Sequence, residues 1–426
     1  MNKIYDYFKK ISSIPRCSHN ASLMFEYIVE HAKSKGFEVF TDSFKNVLCV
    51  KGEPKVCLQA HYDMVCIGDA PNIEIVENSG TIRAKNSTLG ADNGMGMAIM
   101  LDCMDNSKDL ECLFTSDEEV GLVGAMNLKM QIKSPNLLNL DAEEEGEIYV
   151  GCAGSIDILA KMPILYAPLD SKAKLFKIST KPLKGGHSGI DIDKHIPSAI
   201  KVLANELLLH DVKIIHIEGG ERRNSIAQNA FTIVASEKMP KVQDSRILIE
   251  EVLDFKSDVY IQNGGLLIRS LSAFAQGVRS YDKDLLIPSK SINIGIVGCK
   301  DGFLTIECMA RAMEEKSLDG LEKETRVFFE VLSFLVESEA KHKPWKPFIG
   351  DFANYVKSIV ETVYPECTFK AIHAGLECGA LIDAQNKKIE AVSMGPTIRF
   401  PHSLREECDM ASVVKMARIV REIIKG

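Results

Sequence analysis

The sequence lacks an excess of positive charge, a C-x-x-C cysteine pair and any apolar run near the roughly 20 residues that a membrane span requires. A net charge of −8 argues against a nucleic-acid binder, which needs a basic face to neutralise phosphates. Without C-x-x-C pairs, a zinc finger or a thioredoxin-like redox site is unsupported. We therefore expect a protein that binds neither nucleic acid nor membrane.

The twelve cysteines are scattered through apolar stretches such as VLCV, VCLQ and LDCM. Cysteines distributed in this way are typical of small buried hydrophobic residues in a reducing compartment. The N-terminal segment MNKIYDYFKKIS has no apolar signal core and is predicted to form a short amphipathic helix. These features predict a cytoplasmic protein.

A chain of 426 residues is too long for one compact core, so two domains are expected. Its 46% apolar and 26% charged residues are typical of a soluble globular protein, and no internal repeat is visible. Apolar strands alternate with helical patterns, which predicts an α/β fold with a mixed sheet flanked by helices on both faces.

The domain boundaries are predicted from two proline-containing segments. Residues 162–174 carry two prolines between two strand patterns, and KHKPWKPF marks a second break. We expect a catalytic domain built from residues 1–165 and 347–426, interrupted by an inserted α/β domain over residues 166–346. Within this plan, Asn20 is the predicted N-cap of a helix that stops at Gly36, and residues 317–341 are predicted to form one long helix.

Two segments of the first domain place candidate metal ligands where strands end. In AHYDM, His61 and Asp63 lie two apart on one strand face, and a metal-bound imidazole commonly gives its second N–H to a carboxylate. In LGADNGMG, Asp92 stands before a helix, where Gly90 and Gly94 permit close backbone approach. Taken singly, an ordinary strand-end histidine and a helix N-cap are the competing interpretations.

Three further segments complete the candidate set. In FTSDEEVG, the adjacent side chains of Glu118 and Glu119 must diverge, so one can ligate metal while the other moves a proton. Asp141 ends an apolar strand and is the predicted terminal carboxylate, with Glu143 as a rival ligand that the sequence leaves open. His402 lies between a Gly-Pro turn and the last helix.

Together these segments supply two imidazoles and three carboxylates, enough for two cations that share one bridging carboxylate. Two cations about 3.5–4 Å apart suit hydrolysis, because the centre lowers the pKa of a water and polarises a carbonyl. Nitrogen and oxygen ligands fit Zn²⁺, with Mn²⁺ or Co²⁺ as alternatives. Glu118 is the candidate to take the proton from water and pass it to the leaving amine.

The ordered motifs resemble those of the aminoacyl-histidine dipeptidase (cytosol non-specific dipeptidase) family, within the metallopeptidase superfamily that includes aminoacylases and glutamate carboxypeptidase. The resemblance runs from about residue 12 to the C-terminus. It is carried by AHYDM, LGADNGMGMA, DEEVGLVGA, LDAEEEGEIYVGCAG, KGGHSGIDI, IHAGLECG and GPTIRFPHS.

The resemblance implies a catalytic α/β domain with an inserted lid, a homodimer and a set of site residues. Glu118 would be the general base, and Asp63 would support catalysis. The implied metal ligands are His61, Asp92, Glu119, Asp141 and His402.

The resemblance also implies four substrate contacts. His187 in GGHSG would stabilise the oxyanion, and Asn224 in RRNSIA would contact substrate. Arg311 would grip the C-terminal carboxylate of a dipeptide, and Glu377 would pair with its free α-ammonium group. For each of them a structural role is the competing interpretation: a loop histidine, a turn asparagine, a surface arginine and a structural carboxylate.

Three functional hypotheses follow. The leading one is hydrolysis of unsubstituted dipeptides, broad or of the Xaa-His type; the second is an N-acyl amino acid deacylase or desuccinylase that uses the same metals. The third is a non-catalytic binding protein with a vestigial site. Glu377 favours the first, since an N-acyl substrate has no ammonium group to pair with. Ala227, Phe400 and Pro401 depart from the family pattern and leave the side-chain specificity open.

Overall fold

The computed structural model describes residues 2–426 and divides into two compact units. The first unit comprises Met1–Cys152, Trp345–Ala371 and Leu376–Gly426, and the second comprises Ala153–Pro344 and Ile372–Gly375. Residues 153–165, which the sequence analysis assigns to the end of the first catalytic segment, lie in the second unit.

The helices alternate with strands along most of the chain. The helices are α1 (Asn2–Ser12), α2 (Ser22–Ser34), α3 (Ala91–Asn106), α4 (Val123–Met126), α5 (Ala199–Leu207), α6 (Gly264–Ala273), α7 (Glu315–Val331), α8 (Asp351–Val360), α9 (Glu377–Asp383) and α10 (Met410–Ile423). The strands are β1 (Glu38–Thr41), β2 (Val47–Lys51), β3 (Val56–His61), β4 (Ile75–Asn78), β5 (Thr81–Ala84), β6 (Leu110–Thr115), β7 (Asn136–Asn139), β8 (Glu147–Cys152), β9 (Gly154–Pro163), β10 (Tyr166–Pro168), β11 (Lys174–Thr180), β12 (Gly186–His187), β13 (Lys213–Gly219), β14 (Ser225–Ile226), β15 (Ala230–Ser236), β16 (Ile247–Glu251), β17 (Val259–Ile261), β18 (Gly277–Asp282), β19 (Ile287–Lys300), β20 (Phe303–Ala312), β21 (Leu335–His342), β22 (Thr368–Ile372), β23 (Glu390–Ser393), β24 (Ile398–Arg399) and β25 (Glu407–Asp409).

An eight-stranded mixed sheet forms the centre of the first unit, in the order β1-β2-β6-β3-β7-β23-β8-β22. Strands β3, β6, β7 and β23 run parallel to their neighbours in this middle section. The sequences VCLQAH and LECLFT are buried at every position, as expected for strands covered on both faces. Helices α1, α3, α8 and α10 contribute to the same apolar core. A smaller four-stranded sheet, β24-β25-β5-β4, completes the unit.

The second unit is built around a largely antiparallel nine-stranded sheet, whose main path is β16-β11-β15-β13-β19-β20-β9-β21, with β18 paired to β19. Burial alternates along β9, so one face of this sheet packs in the core with α5, α6 and α7 while the other is more open. The predicted α/β class, a catalytic domain interrupted by an inserted α/β lid, is confirmed.

Two local predictions are wrong. Residues 317–341 are not one helix, because α7 ends at Val331, Ser333 adopts a φ of 66° and the alternating segment LVESEAKH pairs antiparallel with β9 as β21. The N-cap of α2 is Ala21 rather than Asn20, although Gly36 follows the helix end with a φ of 77°, as a helix stop requires.

The cysteine prediction is wrong for one pair. Cys17 and Cys66 form a disulfide with a Cα–Cα distance of 5.5 Å, although 49 residues separate them in sequence. Of the cysteines that remain free, Cys299 is half-buried and the others are buried, as expected of small apolar side chains. The disulfide removes cysteine usage as an argument for a reducing compartment.

Within the part of the chain that the structure describes, no helix has both the length and the apolar character needed to cross a bilayer.

Candidate metal centre

The candidate ligands gather where parallel strands of the first unit end. His61 is the last residue of β3 and is paired with Thr115, the last residue of β6. Asp141 follows β7, which runs parallel to β3 on its other side. Because the carboxyl ends of parallel strands meet at one edge of a sheet, three separate segments converge there.

Asp92 approaches the same edge from the start of α3. Gly90 precedes the helix with a φ of 68°, and Asp92 and its neighbour Asn93, joined by a cis peptide bond, have non-helical backbone angles. The carboxylate of Asp92 lies between two imidazoles, with His61 Nε2 at 3.1 Å from Oδ1 and His402 Nε2 at 2.9 Å from Oδ2.

The donor atoms form three groups, two of which share Asp92; the remaining group consists of His61, Glu118 and Glu119. His61, Asp92 and Asp141 form the first group, in which His61 Nε2 lies 3.3 Å from Asp141 Oδ1. Asp92, Glu119 and His402 form the second, in which His402 Nε2 lies 2.9 Å from Glu119 Oε2. Within each group the donor atoms lie within 4.8 Å of one another. The structure thus brings together all five residues that the sequence nominates as ligands.

Glu143, the rival of Asp141, belongs to none of the three groups of converging donors. Burial raises the pKa of its carboxyl to about 8, with a further contribution from the negative charge of Asp92. The geometry therefore favours Asp141 as the terminal carboxylate.

The charges around these groups fit bound cations. Burial opposes the protonated imidazole of His402, yet hydrogen bonds to Asp92 and Glu119 raise its pKa to about 12. The pKa of His61 is likewise raised well above its usual range by surrounding carboxylates, Asp141 first, although burial opposes this. Glu119 Oε1 is buried without a hydrogen-bond partner among the described residues. A buried surplus of carboxylates of this kind requires positive charge, which divalent cations would supply.

Glu118 and Asp63 lie beside the ligands. Glu118 Oε2 is 3.9 Å from His61 Nε2, and burial raises the pKa of Glu118 well above its usual range. Asp63 accepts hydrogen bonds from the backbone N–H of Glu118 (3.0 Å) and from Ser18 Oγ (2.7 Å), and its Oδ1 lies 3.4 Å from His61 Nδ1. Asp63 therefore links the orientation of an imidazole to the position of Glu118.

Glu377, the first residue of α9, is fully buried in the first unit. Its Oε2 accepts hydrogen bonds from Gln59 Nε2 at 2.5 Å and Thr115 Oγ1 at 2.9 Å, whereas Oε1 has no partner among the described residues. Burial raises the pKa of this carboxyl to about 7. A buried carboxylate oxygen without a donor is suited to a cationic ligand group.

The remaining candidates lie in the second unit. Arg311, on β20, is buried rather than on the surface, and its Nη2 lies 3.5 Å from His187 Nε2. His187 Nδ1 accepts hydrogen bonds from the N–H groups of Gly189 and Ile190. The side chain of Asn224 is exposed, and the backbone carbonyl of Asn224 accepts the N–H of Ser188 at 2.8 Å. The structure thus brings His187 and Arg311 together.

Sequence reasoning missed the residues that hold the ligands in place. Asn93 Nδ2 donates to Asp141 Oδ1 at 2.6 Å, and the buried side chains of Arg16 and Glu406 bind the backbone beside other ligands. Asn93 adjoins Asp92 in sequence, which is a weak signal. Nothing in the segments IPRCS and HSLREE marks the other two residues.

The chain is similar to named proteins over nearly its whole length. It is 32% identical to the cytosol non-specific dipeptidase of Escherichia coli, covering 99% of this chain and 97% of that protein. The crystal structure of aminoacylhistidine dipeptidase from Vibrio alginolyticus matches with a TM-score of 0.78 and 29% identity, covering 99% and 96% of the two chains. Human carnosine dipeptidase 1, at 12% identity and a TM-score of 0.57 over 99% of this chain and 95% of that one, shares the fold. No protein-family model matches the chain.

Proposed function

Since this chain belongs to the family of the cytosol non-specific, or aminoacyl-histidine, dipeptidases, we propose that it hydrolyses the peptide bond of unsubstituted dipeptides at the centre formed by His61, Asp92, Glu119, Asp141 and His402. It is a peptide hydrolase with a two-metal centre. The observation that supports this most directly is the sharing of Asp92 by two groups of donor atoms, because a carboxylate between two imidazoles is suited to bridge two cations.

Bound divalent cations would polarise the scissile carbonyl and lower the pKa of a water molecule. Glu118 is the proposed general base, because it lies 3.9 Å from His61 while both groups that share Asp92 are complete without it. Its carboxylate takes a proton from water and returns it to the leaving amine. Asp63 accepts a hydrogen bond from the backbone of Glu118 and faces the imidazole of His61. It therefore fixes the position of the proposed base relative to one metal ligand.

The donor set of imidazole nitrogen and carboxylate oxygen atoms supports Zn²⁺ as the cation. Mn²⁺ and Co²⁺ accept the same donors and remain the alternatives.

The two ends of a dipeptide carry opposite charges, and the chain offers a matching group for each. Glu377 binds the α-ammonium group through its buried Oε1, and Arg311 binds the C-terminal carboxylate. His187 donates to the oxyanion, and Asn224 contacts the substrate backbone. An N-acyl amino acid would leave Glu377 buried without a cationic partner, which disfavours the deacylase alternative.

The substitution Glu377→Gln is expected to lower kcat/KM for a dipeptide such as Ala-Ala by about 10–100-fold, the value of one charge-assisted contact. The effect should fall mainly on KM, because the contact is made equally in the ground and transition states. Steady-state kinetics on Ala-Ala and on N-acetyl-Ala-Ala measure it. The acetylated substrate, which has no ammonium group, serves as the internal control and should be nearly unaffected. An equal loss on both substrates would indicate a structural role for Glu377.

The proposed function is tested by metal analysis of the purified protein together with activity on paired substrates. We expect about two divalent cations per chain and hydrolysis of free dipeptides, including Xaa-His, at least 10-fold faster than hydrolysis of their N-acetylated forms. Dialysis against a chelator should abolish turnover, and Zn²⁺, Mn²⁺ or Co²⁺ should restore it. Faster cleavage of the acetylated forms would favour the deacylase, and no turnover in the presence of bound cations would favour a vestigial site.

We further propose a cytoplasmic homodimer. The relative from Escherichia coli is a cytosol dipeptidase by name. Apolar side chains remain exposed on the second unit, including Val331 at 78% and Leu335 at 57%, and such residues are suited to an interface between subunits. Size-exclusion chromatography with light scattering measures the mass that decides between monomer and dimer.

A further inference from the structure

We propose that Arg16 and Glu406 are positioning residues of the metal centre, which set its cation affinity by fixing the backbone of Leu89–Asp92 against two other ligand-bearing segments. This inference rests on the proposed function, because it assigns to two further residues a role in holding the same cations. Neither residue belongs to the converging donor groups.

Glu406 binds the segment that leads to the bridging carboxylate. Its Oε2 accepts the N–H groups of Leu89 (2.8 Å) and Gly90 (3.0 Å), and its Oε1 accepts those of Ala91 (2.7 Å) and Asp92 (3.3 Å). One carboxylate with 2% exposure thus binds four successive amides. The position of Asp92 is therefore fixed relative to Glu406 without any contact to the ligand's own carboxylate.

Glu406 also connects this segment to a second ligand. It lies four residues after His402, and its N–H donates to the carbonyl of Ser403 at 3.1 Å, which closes a short turn. The imidazole of His402 lies 2.9 Å from the carboxylate of Asp92. The same side chain therefore determines how closely a histidine from the C-terminal part and an aspartate from the N-terminal part approach each other.

Arg16 binds the same segment through a carbonyl group rather than through N–H groups. Its Nη2 donates to the carbonyl of Gly90, and its Nη1 donates to the carbonyls of Asp63 at 2.8 Å and Tyr62 at 3.2 Å. The latter two residues directly follow His61. Arg16 is 1% exposed and is among the largest fully buried side chains of the described chain. Its guanidinium group thus ties the end of β3 to the segment before α3.

Two glycines leave room for this arginine. A Cβ atom at Gly90 would lie 2.5 Å from Arg16 Nη2, and one at Gly94 would lie 2.6 Å from the same atom. Both distances are far shorter than a van der Waals contact. The close approach that the glycines of LGADNGMG permit is therefore the approach of a guanidinium group to the backbone.

A purely stabilising role does not account for this arrangement. Burying an arginine and a glutamate has a desolvation penalty, and well-packed apolar side chains stabilise a core at least as well. The hydrogen bonds described above for the side chains of Arg16 and Glu406 all end on backbone within three residues of a ligand or on the ligand's own N–H group. Groups that orient metal ligands commonly change metal affinity by about 10–100-fold when they are replaced.

The test is the cation affinity of Glu406→Gln, measured by competition between the purified protein and a fluorescent chelator for Zn²⁺. Glutamine keeps the shape but presents an NH₂ group to two of the four amides. We expect at least one Zn²⁺ dissociation constant to rise about 10–100-fold. Arg16→Lys, which keeps the charge but not the forked donors, should raise the constant less than Arg16→Met does.

Glu407→Gln is the matched control. Glu407 is the neighbouring carboxylate, is 7% exposed, and is bound by Arg83 and Arg399 rather than by the ligand segment. We expect its loss to lower the melting temperature without changing Zn²⁺ affinity. Wild-type affinity in both Glu406→Gln and Arg16→Met would overturn the inference, as would an equal loss of affinity in Glu407→Gln. Failure of the wild-type protein to bind two cations would instead overturn the proposed function, and this inference with it.

Discussion

Replacing Glu118 with glutamine is expected to lower kcat for dipeptide hydrolysis by about 10²–10⁴-fold, the contribution of a positioned general base. The bound cations should remain, because both donor groups that share Asp92 are complete without Glu118, which converges only with His61 and Glu119. The amide keeps the size of the side chain but cannot accept the proton from water. Burial raises the pKa of Glu118 well above its usual range, which suits a group that must hold a proton before passing it to the amine.

Steady-state kinetics and metal analysis on the same preparation measure both halves of this prediction. Glu144→Gln provides the control, because Glu144 is an exposed carboxylate in the nearby segment LDAEEEGE and belongs to no donor group. It should leave kcat within about two-fold of wild type, as surface substitutions usually do. A kcat for Glu118→Gln close to that of the control would reject the assignment of Glu118 as the base.

Asp92→Asn is expected to have a comparably large effect by a different route, the loss of cations. Asp92 belongs both to the donor group with His61 and Asp141 and to the group with Glu119 and His402, and asparagine has one acceptor oxygen and no charge. We expect the metal content to fall from about two cations per chain to one or fewer. Turnover should decrease by more than about 10–100-fold, which is the usual effect of replacing a residue that only orients a metal ligand.

Asp102→Asn on the same helix is the matched control for Asp92→Asn. Asp102 is also buried, but its carboxylate accepts hydrogen bonds from Arg421 and belongs to no donor group. This variant should lose some stability, because the ion pair between the buried Asp102 carboxylate and Arg421 is lost, while it retains its cations. The measurements are metal content by elemental analysis and the melting temperature. Two cations at wild-type affinity in Asp92→Asn would contradict a bridging role.

The elements that position the centre could be predicted because their local pattern leaves little choice. VCLQAH and LECLFT are apolar throughout, and segments of this kind form strands covered on both faces. The prediction of one helix over residues 317–341 is wrong, because the helical pattern continues into LVESEAKH although this segment forms a strand. Its strand conformation depends on the pairing of β21 with β9. Local sequence reports the preference of a segment, whereas strand pairing depends on a partner far away in the chain.

By itself, the sequence determined which residue types were available for a metal centre and where strand ends would place them. His61, Glu119 and Asp141 are candidates at strand ends, and Asp92 and His402 are candidates in segments that precede helices. Tertiary structure alone decided which of them meet, because His402 reaches Asp92 across 310 residues of chain. It likewise favoured Asp141 over Glu143, and joined Cys17 to Cys66.

Metal ligands can be predicted from the sequence, whereas the residues that position these ligands cannot. A metal ligand must be one of a few residue types, so a histidine or a carboxylate at a strand end attracts attention in a sequence. Arg16 and Glu406 bind backbone carbonyls and N–H groups, which nearly every residue possesses. The identity of the partner residues therefore cannot be recognised from the sequence. The placement of Arg16 depends on the space that Gly90 and Gly94 leave for its guanidinium group, and that of Glu406 depends on four successive amides, so both are decided only in the folded chain.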